Sequence, residues 1–275
     1  TSPLMWDIVV LTAYLIVSVV YLWATLRAEK GSGSQKALRV LSAVALIAAI
    51  LVHTVTAWIF GLQIAHEFWY TALLGPWFVS SALLSGLALV LVVVSALRKA
   101  GYLELEKPVF DKMVRLLGIF TAVDLYFFAC DLLTAGFPGG DGAGIVALLT
   151  TGALAPFFWV EVVAGAVTMC VAFVPSLRTV PLVVIAALLS VIGIFCKRVQ
   201  LLIGGFQIPN IGYASAVTGT PLSEGGAALQ PASSALVYFP APLELGIVVG
   251  VFALGVCLLL LGLRVLPLKP VADSR

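Results

Sequence analysis

Residues 179–203 read TVPLVVIAALLSVIGIFCKRVQLLI: eighteen residues without a charge, Thr179 to Cys196, and then Lys197, Arg198 and Gln200 before the apolar run resumes. An uncharged stretch of that length is what a helix needs to cross a bilayer. Backbone in lipid must satisfy its own hydrogen bonds, so such a run folds as a helix. Six more runs of comparable length flank it, and the spacing predicts spans near 8–27, 38–62, 77–97, 113–135, 145–173, 179–203 and 243–266. The strict alternation of barrel strands is absent. The reading is an all-α polytopic bundle of about seven transmembrane helices, forming one domain over residues 1–275.

Composition agrees. Of 275 residues, 62% are hydrophobic and 10% charged, against about 25% charged in soluble domains. A mean hydropathy of +1.16 excludes both a water-soluble globule and a disordered chain. The net charge of +2 gives no basic field for a nucleic-acid partner. Cys130, Cys170, Cys196 and Cys257 lie far apart, with no CxxC or Cys/His cluster, so neither an iron–sulfur cluster nor a covalent haem is expected in this chain, and with His53 alone inside a span no b-type haem on two facing histidines is expected. No metal site is expected either.

The breaks carry the topology. Arg27 to Lys36 is a polar Gly/Ser turn, Arg98 to Lys112 is charged and contains Pro108, Phe137 to Gly142 is a turn cluster, and Pro175 to Arg178 is a tight hairpin. Residues 204–242 are long, rich in Gly, Pro, Ala and Ser, and nearly uncharged, as a functional or docking loop would be. Thirteen of the fifteen Lys and Arg fall on alternate connections. The positive-inside rule then puts Thr1 outside, Arg275 in the cytoplasm and the 204–242 loop outside. An even number of spans would destroy that asymmetry.

The remaining ionisable groups lie inside spans, where charge is costly and marks function by default. His53 falls in the outer half of the second span, Asp124 and Asp131 on one face of the fourth, and Glu161 in the fifth, near Pro156, which breaks that helix and would open a wet cavity. Lys197 and Arg198 end the sixth. Each has a bland reading: a core histidine bonded to Ser or Thr, a buried acid holding helices together, cations snorkelling to headgroups. Each also has a chemical one. Asp124 and Glu161 would relay protons. Arg198 would pair with Asp131 or meet a ligand oxygen. His53 would hydrogen-bond a quinone carbonyl and accept its proton. Ser80, Ser81, Ser85 and Gly86 read as a helix-packing face. Trp58, Trp69, Tyr70 and Trp77 read as an interfacial belt, or as the wall of an amphipathic ligand's entry.

Ser2–Asp7 (SPLMWD), His53–Trp58 (HTVTAW), Pro76–Gly86 (PWFVSSALLSG) and Lys197-Arg198 resemble the NrfD/polysulfide-reductase membrane subunit family, nearest its DsrP and alternative complex III branch. The resemblance covers most of residues 1–266. It implies a multi-pass subunit of a respiratory complex in a prokaryotic inner membrane, not an autonomous enzyme. It implies a quinone or menaquinone as bound substrate, a ferredoxin-like iron–sulfur subunit docked outside, and further membrane and redox subunits. His53 matches the HTV-type motif directly. The transfer places Asp124 and Glu161 with His53 in proton transfer, and Lys197, Arg198, Asp131 and Trp58 with His53 around the quinone. That branch has about ten spans, so roughly three helices are expected before Ser2. The rival from another class is a secondary transporter or proton channel, which intramembrane acids also suit, though no internal repeat is visible. A retinal protein is excluded by the absence of a lysine in the 243–266 span.

Overall fold

The computed structural model describes residues 2–29, 31, 34–64, 66, 68–137, 142–207 and 241–265. Among these the secondary structure is helical, without strands: α1 (Pro3–Glu29), α2 (Gln35–Gly61), α3 (Leu74–Lys99), α4 (Lys107–Gly136), α5 (Gly142–Thr150), α6 (Ala155–Phe173), a 3₁₀ turn (Pro175–Leu177), α7 (Val180–Gln207) and α8 (Pro242–Val265). Seven of these helices are long and apolar enough to cross a membrane, so the chain is a multi-pass integral membrane protein.

Local chemistry sets the helix ends. Ser34 caps α2 by accepting from the amide of Ala37, a donor that would otherwise be unpaired. Pro108 and Pro156 sit in the first turns of α4 and α6, where a missing N–H costs nothing. The second of these corrects the sequence reading. The span expected over 145–173 is two helices, α5 and α6, separated by Thr151–Leu154. Its backbone detours there, with Gly152 N bonding Ala147 O at 2.8 Å and Leu154 N reaching Leu148 O at 3.4 Å. Pro156 signals a break in this helix, but hydropathy does not place it, because the linker is uncharged like its flanks. Gly204–Gln207, expected in the long loop, instead complete α7. The rest of that loop, 208–240, lies outside the described residues, as do the turn residues 138–141 and the basic markers Lys30, Lys269 and Arg275.

Helices α3, α4, α6 and α7 pack together as the core; α5 covers α4 and α6, and α1 joins the bundle through α2, which packs on α3. The side chains of α8 are exposed along nearly all its length. The core has three tiers. One apolar cluster gathers Leu84, Leu91, Val114, Leu117, Ala172 and Ala187. A second, aromatic cluster gathers Trp77, Phe78, Phe128, Leu149, Leu154 and Phe158. Between them on α3, α4 and α6 lie the buried polar residues Ser80, Ser81, Thr121, Asp124, Glu161 and Thr168, and α7 adds Lys197 and Gln200 between Ile194 and Leu201. Gly165 lets α6 approach α4 closely, since a Cβ there would stand 2.9 Å from Leu125 Cδ1. That approach sets Glu161, one turn away, beside Asp124.

Candidate functional site

The polar tier is built around one amine. Lys197 Nζ donates to Asp124 Oδ2 and lies 3.3 Å from Glu161 Oε1. It is 6% exposed, Asp124 2% and Glu161 3%, which overturns snorkelling: the stem runs inward, because two carboxylates draw it more strongly than a distant headgroup layer. The second oxygen of each acid is also engaged. Ser80 Oγ stands 3.0 Å from Asp124 Oδ1, and Gln200 Nε2 donates to Glu161 Oε2 at 3.0 Å. The Lys197 ammonium sits 4.4 Å from the centre of the Trp77 ring, a cation–π contact that desolvation strengthens.

Arg198, the next residue, is turned by about 100° of helix phase and faces α3. Its Nη2 donates to Ser81 Oγ at 2.8 Å, and Ser81 in turn donates to the carbonyl of Phe78 at 2.9 Å. The guanidinium lies over the Phe78 ring with Cζ 3.6 Å from its centre. Two buried donors here have no hydrogen-bond partner among the described residues, Arg198 Nη1 and Trp77 Nε1.

A cavity of about 570 Å³, open space at its mouth included, adjoins these groups; Phe68, Leu74, Phe78, Phe128, Ile145 and Leu149 give it apolar walls, and Trp77, Asp131, Glu161, Lys197, Arg198 and Gln200 give it polar points. Apolar walls with a few convergent polar points are the composition of a small-molecule site. A second space of about 250 Å³ lies across the acids, lined by Asp124, Glu161, Thr121, Ser190 and Gly193 among others. Glu161 lines both. Beyond it, Thr168 and Ser190 are hydrogen-bonded at 2.8 Å.

The connection between α2 and α3 closes one end of the first cavity. Trp69 donates its indole N–H to Leu201 O at 2.7 Å, and its ring meets Phe206 and Phe60 edge-on. It seats against Gly205, where any Cβ would collide with the indole. Phe68 and Thr71 of the same connection line the cavity.

The structure thus brings together Asp124, Glu161, Lys197 and Arg198, with Asp131 in the same wall near Thr71. Arg198 bonds Ser81 and not Asp131; it is Lys197 that takes the acids. His53 is half-buried on α2 and does not line the cavity, although it is within electrostatic reach of Arg198. Trp58 is 49% exposed and also lies outside the lining. Near His53 a separate polar contact joins α1 to α2, Thr56 Oγ1 donating to Asp7 Oδ1 at 2.8 Å. Ser80 and Ser81, read from the sequence as packing, are hydrogen-bond partners of the site. Gln200 and Trp77 belong to it as well. Their one sequence signal is position: Gln200 is three residues from Lys197, and Ser80 and Ser81 are polar in an apolar span. Among the described residues no three His, Cys, Asp or Glu side chains gather as a metal centre requires.

Residues 1–210 match the family profile "Polysulphide reductase, NrfD". The chain is 29% identical over 293 aligned positions to a Halobacterium salinarum protein named as a membrane subunit of dimethyl sulfoxide reductase; the match covers 99% of this chain and 67% of the relative. It is 24% identical over 213 positions to the "Hdr-like menaquinol oxidoreductase integral membrane subunit" of Archaeoglobus fulgidus, covering 76% of this chain and 53% of that protein. The chain therefore spans about two thirds of the first relative's length and about half of the second's.

Proposed function

We propose, for a chain that belongs to the polysulphide reductase NrfD family of prokaryotic plasma-membrane proteins, that it is the quinone-interacting membrane subunit of a respiratory oxidoreductase complex. The observation that carries this reading is the cavity whose apolar walls end in Arg198 and Trp77 donors that have no partner among the described residues, beside a carboxylate–lysine cluster. The donor set fits the ligand. A quinone ring is flat and apolar and presents carbonyl oxygens that accept hydrogen bonds. The name of the Archaeoglobus relative, a menaquinol oxidoreductase subunit, points the same way and favours menaquinone.

Quinol oxidation releases two electrons and two protons, and the chemistry of the electrons belongs to the quinone. The chain's part is to bind and orient the ring, keep bulk water from it, and receive protons. Glu161 lines the ring cavity and the space beyond it, so it stands between the ligand and the Thr168–Ser190 pair, with Asp124 as its neighbour across Lys197. On the positive-inside orientation the ring cavity lies in the outer half of the membrane. The electrons then pass to an extracytoplasmic ferredoxin-like iron–sulfur subunit. Asp131 sits in the wall as an acceptor for a ligand hydroxyl. His53 and Trp58, on α2, stand outside the cavity lining, so the part they take in ligand binding is indirect.

The test is binding of a menaquinone analogue to the purified wild-type protein and to Leu149→Trp, which fills the cavity from α5. Leu149→Trp abolishes binding while the thermal midpoint holds, and His53→Ala weakens it without abolishing it. Undiminished binding by Leu149→Trp removes the cavity from the function. No binding by the wild type, together with proton flux in vesicles, favours the channel or transporter reading.

A further inference from the structure

We infer that Arg198 Nη1 and Trp77 Nε1 are the hydrogen-bond donors that hold the ring ligand's oxygens, with Ser81 and Phe78 as the positioning residues that keep the guanidinium aimed for that task. This rests on the quinone reading of the cavity and adds which groups recognise the ligand.

Three observations converge. Both residues line the cavity, and both donors are buried without a partner among the described residues, a state that folded proteins avoid unless a ligand or water completes it. Trp77 is 8% exposed, so solvent does not serve it freely. Both side chains are also held rigidly by other contacts. The guanidinium uses Nη2 on Ser81 at 2.8 Å and its flat face on Phe78 at 3.6 Å, which leaves the other NH₂ uncommitted. Trp77 is stacked on Phe128 with centroids 5.5 Å apart and an interplanar angle of 27°, and carries the Lys197 ammonium over its ring at 4.4 Å.

Lys197 is the alternative donor, but its ammonium is committed to Asp124 and Glu161. An arginine can divide itself as Arg198 does because its donors form a fixed planar fork; a lysine at this position has one point of charge and must choose. The two adjacent serines of α3 serve the division. About 100° apart on the helix, Ser80 faces Asp124 and Ser81 faces Arg198. The acid–base cluster and the recognition group are thus kept on separate hydroxyls.

The experiment uses the full chain in detergent and two probes in isothermal titration: a short-chain 1,4-naphthoquinone, and 2-methylnaphthalene, which has the ring without the carbonyls. Arg198→Lys and Trp77→Phe each weaken the naphthoquinone about tenfold or more, the loss of one hydrogen bond at a buried polar site. Ser81→Ala weakens it severalfold. None of the three changes affinity for 2-methylnaphthalene by more than about twofold, a contrast that a merely structural disturbance of the cavity does not produce. Wild-type binding with Arg198→Lys and Trp77→Phe both within about twofold for the naphthoquinone overturns this inference and leaves the quinone reading standing. Equal losses for both probes also overturn it, since the residues then only shape the cavity. No wild-type binding of the naphthoquinone overturns the quinone reading itself and the inference with it.

Discussion

Replacing Lys197 by Met keeps the stem and removes the charge, and it tests the polar tier directly. Two carboxylates that are 2% and 3% exposed lose their shared cation. Asp124 keeps the Ser80 hydroxyl and Glu161 keeps the Gln200 amide, but no positive charge replaces the ammonium between them. Breaking a buried pair by removing one partner costs about 3–5 kcal/mol. A loss of about 3 kcal/mol corresponds to a fall of about 6–12 °C in thermal midpoint for a chain of this size class. Tryptophan fluorescence during heating in detergent reads it, with Trp77 as the nearest reporter. The sharper part is the double substitution. Lys197→Met with Asp124→Asn removes a charge of each sign and recovers at least half of the lost stability. Lys197→Met with Glu161→Gln recovers less, because Glu161 is the more distant partner at 3.3 Å. If Lys197→Met stays within about 2 °C of the wild type and its effect adds independently to that of Asp124→Asn, the two groups are not coupled. Lys197 is then not the counter-ion of this cluster, and the reasoning fails.

Trp69→Phe loses the 2.7 Å bond to Leu201 O, about 1 kcal/mol, and lowers the same midpoint by a few degrees. Gly205→Leu drives a side chain into the place of the indole and displaces the α2–α3 connection. In a background lacking the native cysteines, Ile145→Cys then reacts at least tenfold faster with a charged thiol reagent; an unchanged rate shows that this connection does not close the cavity. Orientation is tested in that same background. Tyr102→Cys, in a connection flanked by Arg98, Lys99 and Lys107, reacts with an impermeant maleimide from the cytoplasmic side, and Gln63→Cys reacts from the other; the reverse pattern refutes the positive-inside assignment.

What the sequence made legible was the expensive chemistry. Spans stand out because lipid tolerates no unpaired backbone, and Asp124, Glu161, Lys197 and Arg198 stand out because charge in a span is rare. What it concealed was phase and pairing. Lys197 and Arg198 are neighbours in sequence but face different helices, and hydropathy carries no information on which way either turns. Asp124 and Asp131 share a face of α4, yet Lys197 selects the one at the level of Glu161, a choice fixed by how deeply α4 and α6 approach at Gly165. Ser80 and Ser81 looked like packing residues because small side chains do let helices close in. Their second use depends on partners from other helices, Asp124 of α4 for Ser80 and Arg198 of α7 for Ser81. The α5–α6 break was legible only in Pro156; hydropathy concealed its extent, since the linker carries no charge.

The charge balance of the tier bears on what it can bind. Asp124 and Glu161 oppose Lys197 and Arg198, two charges of each sign, but unevenly placed: both acids lie on Lys197, and Arg198 is left with a hydroxyl and an aromatic face. An anionic ligand on Arg198 satisfies it locally and leaves the buried tier with a net negative charge, which a low-dielectric interior penalises heavily. A neutral ring with acceptor oxygens satisfies the same donor and leaves the balance intact. The proposed release of protons then has a consequence. A first proton on either acid makes the tier net positive, and a second one is repelled until the first has moved on. The space beyond Glu161, lined by both acids and by Ser190, is where it can go. On the proposed function, therefore, filling that space from α3 with Leu84→Phe slows turnover at saturating quinol while ring binding is kept, whereas filling the first cavity abolishes binding; equal effects on both steps would mean that the two spaces serve one purpose and that Glu161 does not divide them.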